Sequence, residues 1–398
     1  MAYRLAKTTV PNTPTANLAD IYYDTSDLRM KYVDEFGGIY ALSQADWGEN
    51  LLINGGFELA QRQAPGTLTT YSNTTGRTYG ADRWGMTNEN ASIQYQRIDS
   101  NAATETNLNA RMYGKFKKLT SAGKMIISQV IEGTNCAPLR GRTVRFQCKM
   151  RYSVAASMTV RLGIVYLTSA GTIDTMPATF VSAFGAVGTD PTWGTNLTAI
   201  APTLLDGGTL VGSGMNCVLT ANWVRYSATF TIPSTAKNVI AVIWTNGQPA
   251  ANDELNIAEI GLYEGNETMD WTPRPIWQII QSCQRYYCKT FAIDTAPVQN
   301  AGINTGEFKF TAGIIAAGAE RSPSFRYPVT MRATPVTLTA YNPAVANAQV
   351  RDETASTDCT AQAFVGANDS SLGVTCTGSA TTIVGGLLGV HISLDAEL

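Results

Sequence analysis

Histidine is almost missing from this sequence: His391 is the only one in 398 residues. Histidine is the commonest proton shuttle near neutral pH, so acid–base chemistry would have to fall to carboxylates. His391 itself stands among apolar neighbours in "LGVHISLDAEL" and reads as a buried structural residue. Charge is scarce as well, at 15% of residues against about 25% in ordinary globular chains. The formal net charge is −2, so there is no basic excess to neutralise a phosphate backbone, and nucleic acid is not expected as a partner. No C-x-x-C pair occurs among the seven cysteines, Cys136, Cys148, Cys217, Cys283, Cys288, Cys359 and Cys376. An odd set with one histidine argues against a Cys/His zinc site. These thiols read as small buried hydrophobes of a protein made in a reducing cytoplasm. No apolar run approaches ~18 residues, so membrane insertion is not expected. The opening "MAYRLAKTTV" lacks the apolar core of a signal peptide.

What fills the space is Gly, Thr, Ser, Ala and Asn, which suits turn-rich β-sheet. The length allows about two or three domains. Residues 1–49 alternate apolar and polar side chains (Ile21, Tyr23; Leu28, Met30, Tyr32; Ile39, Ala41) between the turn sequences "DTSD" and "DEFGG". They predict two or three short strands, too few to be stable alone in water. From Asn50 to Pro273 the segments "MIISQVIEG", "GRTVRFQCKMRYS", "SMTVRLGIVYLTS", "NWVRYSATFTIP", "NVIAVIWTN" and "LNIAEIGLYEG" are strand-like and bounded by Gly, Pro, Asn and Ser. In "VRYSATFTI", Val224, Tyr226, Ala228, Phe230 and Ile232 share one face, the mark of a half-buried antiparallel strand. Many short strands without intervening helices imply a sandwich or jelly roll. Residues 274–290 predict a connecting helix, since Ile276, Ile279, Ile280, Cys283 and Tyr287 recur at helical spacing behind Pro275. Residues 291–398 return to β. The fold class expected is mainly β: a short N-terminal β segment, a β-sandwich jelly roll over 50–273, one short helix, and a C-terminal β-sandwich over 291–398.

The ordered landmarks resemble a known family. "NLLINGGFELAQRQ" followed by "YGADRW" is similar to the opening of a jelly-roll domain common in tail fibres and related virion proteins of tailed bacteriophages. "SQVIEGTNCAPLRGRTVRFQCKMR", "NWVRYSATFTIP", "IAEIGLYEGNETMDWTPRP", "CQRYYCKTF", "YPVTMRATP" and the final "DAEL" resemble its later landmarks in the same order. Residues 1–49 are similar to short N-terminal anchors of phage appendages. The jelly roll also resembles carbohydrate-binding modules that open "NLL.NGGFE". The resemblance implies a virion appendage made in the host cytoplasm. It would attach to tail, baseplate or capsid proteins through residues 1–49, act as a homotrimer, and bind a host surface glycan or outer-surface protein. In such modules the acid of the opening motif and one in the closing strand hold a structural calcium. Here these would be Glu58 and Glu259, either as metal ligands or as hydrogen-bonded glutamates with no metal. No other cofactor is implied.

Asp82 and Arg83 in "YGADRW" are adjacent. On a strand they would point to opposite faces and could not pair with each other. Asp82 is expected to accept hydrogen bonds that pin the preceding loop, beside a core Trp84, and Trp223 is expected to be structural. Trp193 in "GTDPTWGTN" and Tyr341 in "LTAYNPAVANA" are the candidate ligand-binding aromatics, each weighed against packing on its own sheet or a sister chain. Residues 333–398 carry only seven charges, and the apolar strand 385–392 is expected to pack around a threefold axis with Tyr341 on an outward loop. Three functions compete: a receptor-binding appendage, a purely structural fibre or decoration protein, and a polysaccharide-cutting enzyme. The last needs two carboxylates in a defined frame. No such pair and no internal repeat is visible, so no enzymatic activity is expected.

Overall fold

The computed structural model describes residues 49–398 except 73, 91, 104, 106, 120–122, 153–157, 267 and 314–317, together with four strands ahead of them. Those strands, Ala6–Thr8, Asp20–Asp24, Arg29–Val33 and Ile39–Ala41, form one sheet in sequence order, the first pair parallel and the others antiparallel. That is one strand more than the alternation suggested. The turn readings between these strands, at 25–28 and 34–38, fall outside the described residues.

The fold is mainly β, in several largely antiparallel sheets. Two sheets face each other across one core. One runs in the order Thr209–Val211, Gly214–Leu219, Met158–Leu167, Asn238–Thr245, Met125–Ile131, Gly85–Asn88, Thr78–Tyr79, with Leu197–Ile200 also on Met158–Leu167. The other runs Leu205–Asp206, Val224–Thr231, Thr143–Tyr152, Glu254–Glu264, Met112–Lys118, Ile93–Asp99, Thr69–Tyr71. Alternation builds the core between them: Val144, Phe146, Cys148 and Met150 point in beside Tyr226, Ala228, Phe230 and Ile232. The uninterrupted apolar run of Asn238–Thr245 has a different cause: it is buried on both faces. Its outer side packs under the connection from residue 168 to 196, where Phe180, Val181 and Phe184 make a second apolar layer with Val165, Ile240, Val242 and Trp244. Trp244 lies over two glycines. A Cβ on Gly163 or Gly214 would stand 2.6 Å from its ring.

The helix is shorter than its apolar spacing predicts. It spans Ile276–Gln284, and Tyr287 already belongs to strand Tyr287–Lys289. Strand pairing competes for this stretch and wins, because Tyr287 and Cys288 face Asp395 and Leu394 across an antiparallel ladder. A one-turn helix, Gly133–Cys136, is an addition the pattern did not suggest.

The C-terminal strands close around Val350, Leu372, Val374, Leu388, Val390, Ile392 and Leu394. Strand Leu387–Asp395 is central there. Tyr287–Lys289 and Thr337–Tyr341 pair with its later half, and Phe308–Thr311 and Arg351–Asp352 with its earlier half. Both its edges are hydrogen-bonded, and its apolar side chains lie in one core cluster with Leu372, Val374 and Cys376 of another sheet. Strand Leu387–Asp395 is therefore a central strand of its own chain, paired on both sides. Exposed apolar residues nearby include Ile383 and Val384, just ahead of the strand, and Val336, whose main-chain N–H donates to the Asp395 carbonyl.

Candidate functional site

The site is built where the C-terminal strands meet the larger sandwich. Residues 80–84 are not a strand, as expected, but a turn, with Arg83 in the left-handed region at φ 72°. Asp82 and Arg83 therefore reach in different directions by turn geometry rather than by strand alternation. The Asp82 carboxylate is fully buried and accepts from the Gln61 main-chain N–H at 3.0 Å and from Gln61 Nε2 at 2.7 Å. Its carbonyl accepts from Asn54 Nδ2 at 3.0 Å. Two stretches noticed separately, "NLLINGGFELAQRQ" and "YGADRW", are thus bonded to each other. Burial pushes the Asp82 pKa up, against the Arg62 charge and the Gln61 hydrogen bonds, which pull it down. Trp84 is buried beside it, its ring tilted against Phe57 at 5.6 Å, and donates to the Asn54 carbonyl at 2.9 Å.

Arg83 runs the other way, into the seam. Its guanidinium lies 3.4 Å from the Tyr286 ring centroid, donates to the Val130 carbonyl at 2.6 Å, and ion-pairs with Glu397. Arg77 and Tyr79 both donate to the Leu398 main-chain oxygen, Tyr79 at 2.6 Å. "DAEL" is therefore the partner of "YGADRW", more than 300 residues away.

Beside this clasp lies a cleft of about 280 Å³ lined by Arg62, Tyr287, Pro297, Thr337, Thr339, Tyr341, Ser393 and Asp395. Strand register explains its chemistry. Tyr287 and Thr337 flank Asp395, Lys289 and Thr339 flank Ser393, and Tyr341 stands opposite His391. One face of three strands therefore carries hydroxyls, a carboxylate and two phenols. The opposite face carries Cys288, Leu338, Ala340, Ile392 and Leu394 into the core. Tyr341 lies at the end of a strand, not on an outward loop. It is half-buried, edge-on to Phe291 at 5.3 Å and 3.2 Å from Ser393 Oγ. Tyr287 has one face covered by the Arg62 guanidinium at 3.8 Å.

His391 is buried, stacked at 3.9 Å on Phe291, with Thr290 and Thr305 hydroxyls at 2.9 Å on its two ring nitrogens. Burial lowers its pKa, the effect of nearby Glu307 opposing. Every position around the ring is filled, which leaves no substrate access.

Trp193 is not brought to the cleft. It packs edge-on against Phe180 at 5.6 Å and Trp244 at 5.7 Å on the covered face of the larger sandwich. Trp223 lies on the outer face of the other sheet, donating to Glu105 at 3.0 Å, with Arg151 over its ring at 4.7 Å and Tyr113 edge-on at 5.3 Å.

The two calcium candidates, Glu58 and Glu259, differ in how their carboxylates are engaged. Glu259 sits at a bulge with φ 53°, accepts main-chain N–H bonds from Asn109 and Ala110, and pairs with Lys149 Nζ at 3.0 Å. Its oxygens already face positive charge. Burial raises the pKa of Glu58, against main-chain hydrogen bonds and the Arg97 charge, and its Oε2 is buried without a hydrogen-bond partner. No cluster of three or more His, Cys, Asp or Glu able to hold a metal exists among the described residues.

Arg62, Thr337, Thr339, Ser393 and Asp395 are not singled out by the sequence, and Tyr287 is singled out only as a helix position. The signal was present in "TLTAY" and "HISLD", where polar residues alternate with apolar ones, but nothing local says that the two strands pair.

The sequence matches no protein-family model and no curated protein. Solved structures with similar β architecture do exist. TmCBM61, solved with β-1,4-galactotriose, is 12% identical at a TM-score of 0.30, over 54% of this chain and 99% of that one. The CBM22-1 xylan-binding domain from Paenibacillus barcinonensis Xyn10C is 9% identical at a TM-score of 0.27, over 52% of this chain and 99% of that one. The enzymatically active domain of tailspike protein 4 from bacteriophage CBA120 is 10% identical at a TM-score of 0.29, over 49% of this chain and 21% of that one.

Proposed function

We propose that this protein is a glycan-binding appendage subunit of a tailed-phage virion, holding saccharide in the seam cleft. The observation that carries the binding site is the three-stranded polar face: Thr337, Thr339, Ser393, Tyr341 and Asp395 in one concavity of about 280 Å³. Hydroxyl and carboxylate groups converging beside aromatic rings suit a ligand that is itself a dense array of hydroxyls. The lining offers one carboxylate, Asp395, held in an ion pair with Arg62 at 2.9 Å. Glycoside hydrolysis needs two carboxyl groups facing the scissile bond, so the geometry favours binding over cleavage. Single weak sites become useful through copy number on a particle. The virion setting and the homotrimer rest on the ordered motifs from "NLLINGGFE" to "DAEL", and residues 1–49 are assigned to attachment.

The test is a glycan array probed with the full chain and with Tyr341→Ala. Binding reduced at least tenfold in a variant with an unchanged melting curve supports the cleft; equal binding by the two proteins refutes it. A second reading has its own observation. The buried clasp between "YGADRW" and "DAEL" is built for rigidity, as a connector without receptor binding would need. An array blank for a well-folded full chain would favour that reading.

A further inference from the structure

The charges around the cleft bear on which saccharides it takes, given the reading above that it binds glycan. Arg62 is surrounded by three carboxylates: Asp395 Oδ2 at 2.9 Å, Asp82 Oδ1 at 3.5 Å and Glu397 Oε1 at 3.6 Å. Its flat face is against Tyr287, and its Nη1, which has no hydrogen-bond partner, is closed off from solvent. Lys289, on the strand beside Ser393, spends its ammonium on the carbonyls of Gln61 at 2.6 Å, Ile293 at 2.9 Å and Thr295. The Arg62 charge is outnumbered by its three carboxylates, and the Lys289 ammonium donors are taken by three carbonyls. Asp395 is the charged group that opens to the cleft, with its side chain 29% exposed. Its Oδ1 accepts the Glu397 main-chain N–H at 2.9 Å and its Oδ2 accepts from Arg62, and each carboxylate oxygen has a second lone pair to offer.

We infer that the cleft selects neutral saccharides, whose hydroxyls donate to Asp395, and excludes acidic sugars such as uronic and sialic acids. Thr337, Thr339, Ser393 and Tyr341 can donate to or accept from hydroxyls of either class, so they do not discriminate. Discrimination comes from a repulsive element: a ligand carboxylate would face Asp395 where the one neighbouring guanidinium is already outnumbered by three carboxylates.

The experiment is saturation-transfer NMR with the full chain at low ionic strength. Galactose, glucose and N-acetylglucosamine are compared with glucuronic, galacturonic and N-acetylneuraminic acids. Neutral sugars should bind at least tenfold tighter than acidic ones, and Tyr341→Ala should weaken them. Asp395→Asn should narrow the gap by admitting the acids. If that variant melts early, raising ionic strength on the unaltered chain serves instead, because salt screens the repulsion and should narrow the same gap. Acids binding as tightly as neutral sugars, with Tyr341→Ala weakening both, would overturn the selectivity and leave the glycan site standing. No binding by the panel, or binding indifferent to Tyr341, would overturn both.

Discussion

Arg83 and Glu397 form a buried ion pair across 314 residues of sequence, each with its side chain no more than 4% exposed. Arg83 is the residue that leaves the "YGADRW" turn in a left-handed conformation, and Glu397 belongs to "DAEL". Charges taken out of water hold together only when every partner is present. Here the remaining Arg83 contacts are the Val130 carbonyl and the face of Tyr286. Glu397→Ala leaves a buried guanidinium without its counter-charge and should cost about 3–5 kcal/mol in urea denaturation. The double variant Arg83→Met, Glu397→Leu should recover much of that loss. A single variant as stable as the parent would show that the pair is not a clasp.

Acid should weaken the C-terminal sandwich in two steps. Burial lowers the His391 pKa, so protonating it opposes folding; its contribution is present above the unfolded value and fades as pH falls through about 6.5. Glu307 titrates lower. Burial alone would raise its pKa, but N–H bonds from Asn304 and Thr305 and the Lys309 ammonium outweigh that and hold it at about 2. Its folded pKa is depressed, so its stabilisation is full above the unfolded value near 4.5 and is lost between there and 2. The loss should be roughly 3 kcal/mol. Glu307→Gln should lower stability at pH 7 and flatten the profile below pH 4.5. An unchanged acid limb would contradict this role.

The seven cysteines should be silent in the native protein. All are free and buried. Burial pushes Cys136 up to about 11 and Cys288 to about 12, far from the thiolate that reacts. Cys359 goes the other way, lowered by a hydrogen bond with the Cys376 thiol, but it is fully enclosed. Ellman's reagent should therefore label none of them quickly at pH 8 and should label them after unfolding in guanidinium. Fast labelling of the folded chain would mean that one of the two cores opens.

Trp244 should set the tolerance of its neighbours. Gly163→Ala would place a methyl 2.6 Å from the indole, against a layer already filled by Phe180 and Trp193. Overpacking of this kind typically costs about 1–3 kcal/mol. The near-UV circular dichroism of the tryptophans should change with it. A fully stable Gly163→Ala would show that the covering connection is loosely seated.

Local periodicity made much of this fold legible. "VRYSATFTI" predicts a strand that the structure places at Val224–Thr231 with Tyr226, Ala228 and Phe230 inward. "NVIAVIWTN" was legible as a strand, but its second buried face was not, because the covering layer comes from residues far along the chain. The helix was overextended at Tyr287, where the pull of a strand partner at Asp395 is invisible in the local pattern. The candidate site was the least legible part. Tyr341 was singled out, but Arg62, Tyr287, Ser393 and Asp395 come from segments up to 333 residues apart, and only pairing brings them together.

Asp82 should prove structural even though it lies behind the cleft. Its carboxylate receives two Gln61 N–H groups and stands 3.5 Å from Arg62 Nη1. Asp82→Asn would turn an amide donor toward a site lined with donors, leaving one of them unpaired in a buried place. That should cost about 2–3 kcal/mol, read by urea denaturation. Arg62 would remain held by Asp395 at 2.9 Å and Glu397 at 3.6 Å, so the cleft wall should keep its position. Saccharide affinity of the folded variant should stay within about twofold of the parent, a difference well under the 1.4 kcal/mol that a tenfold change represents. A variant that melts normally yet no longer binds would move Asp82 from scaffold to ligand recognition.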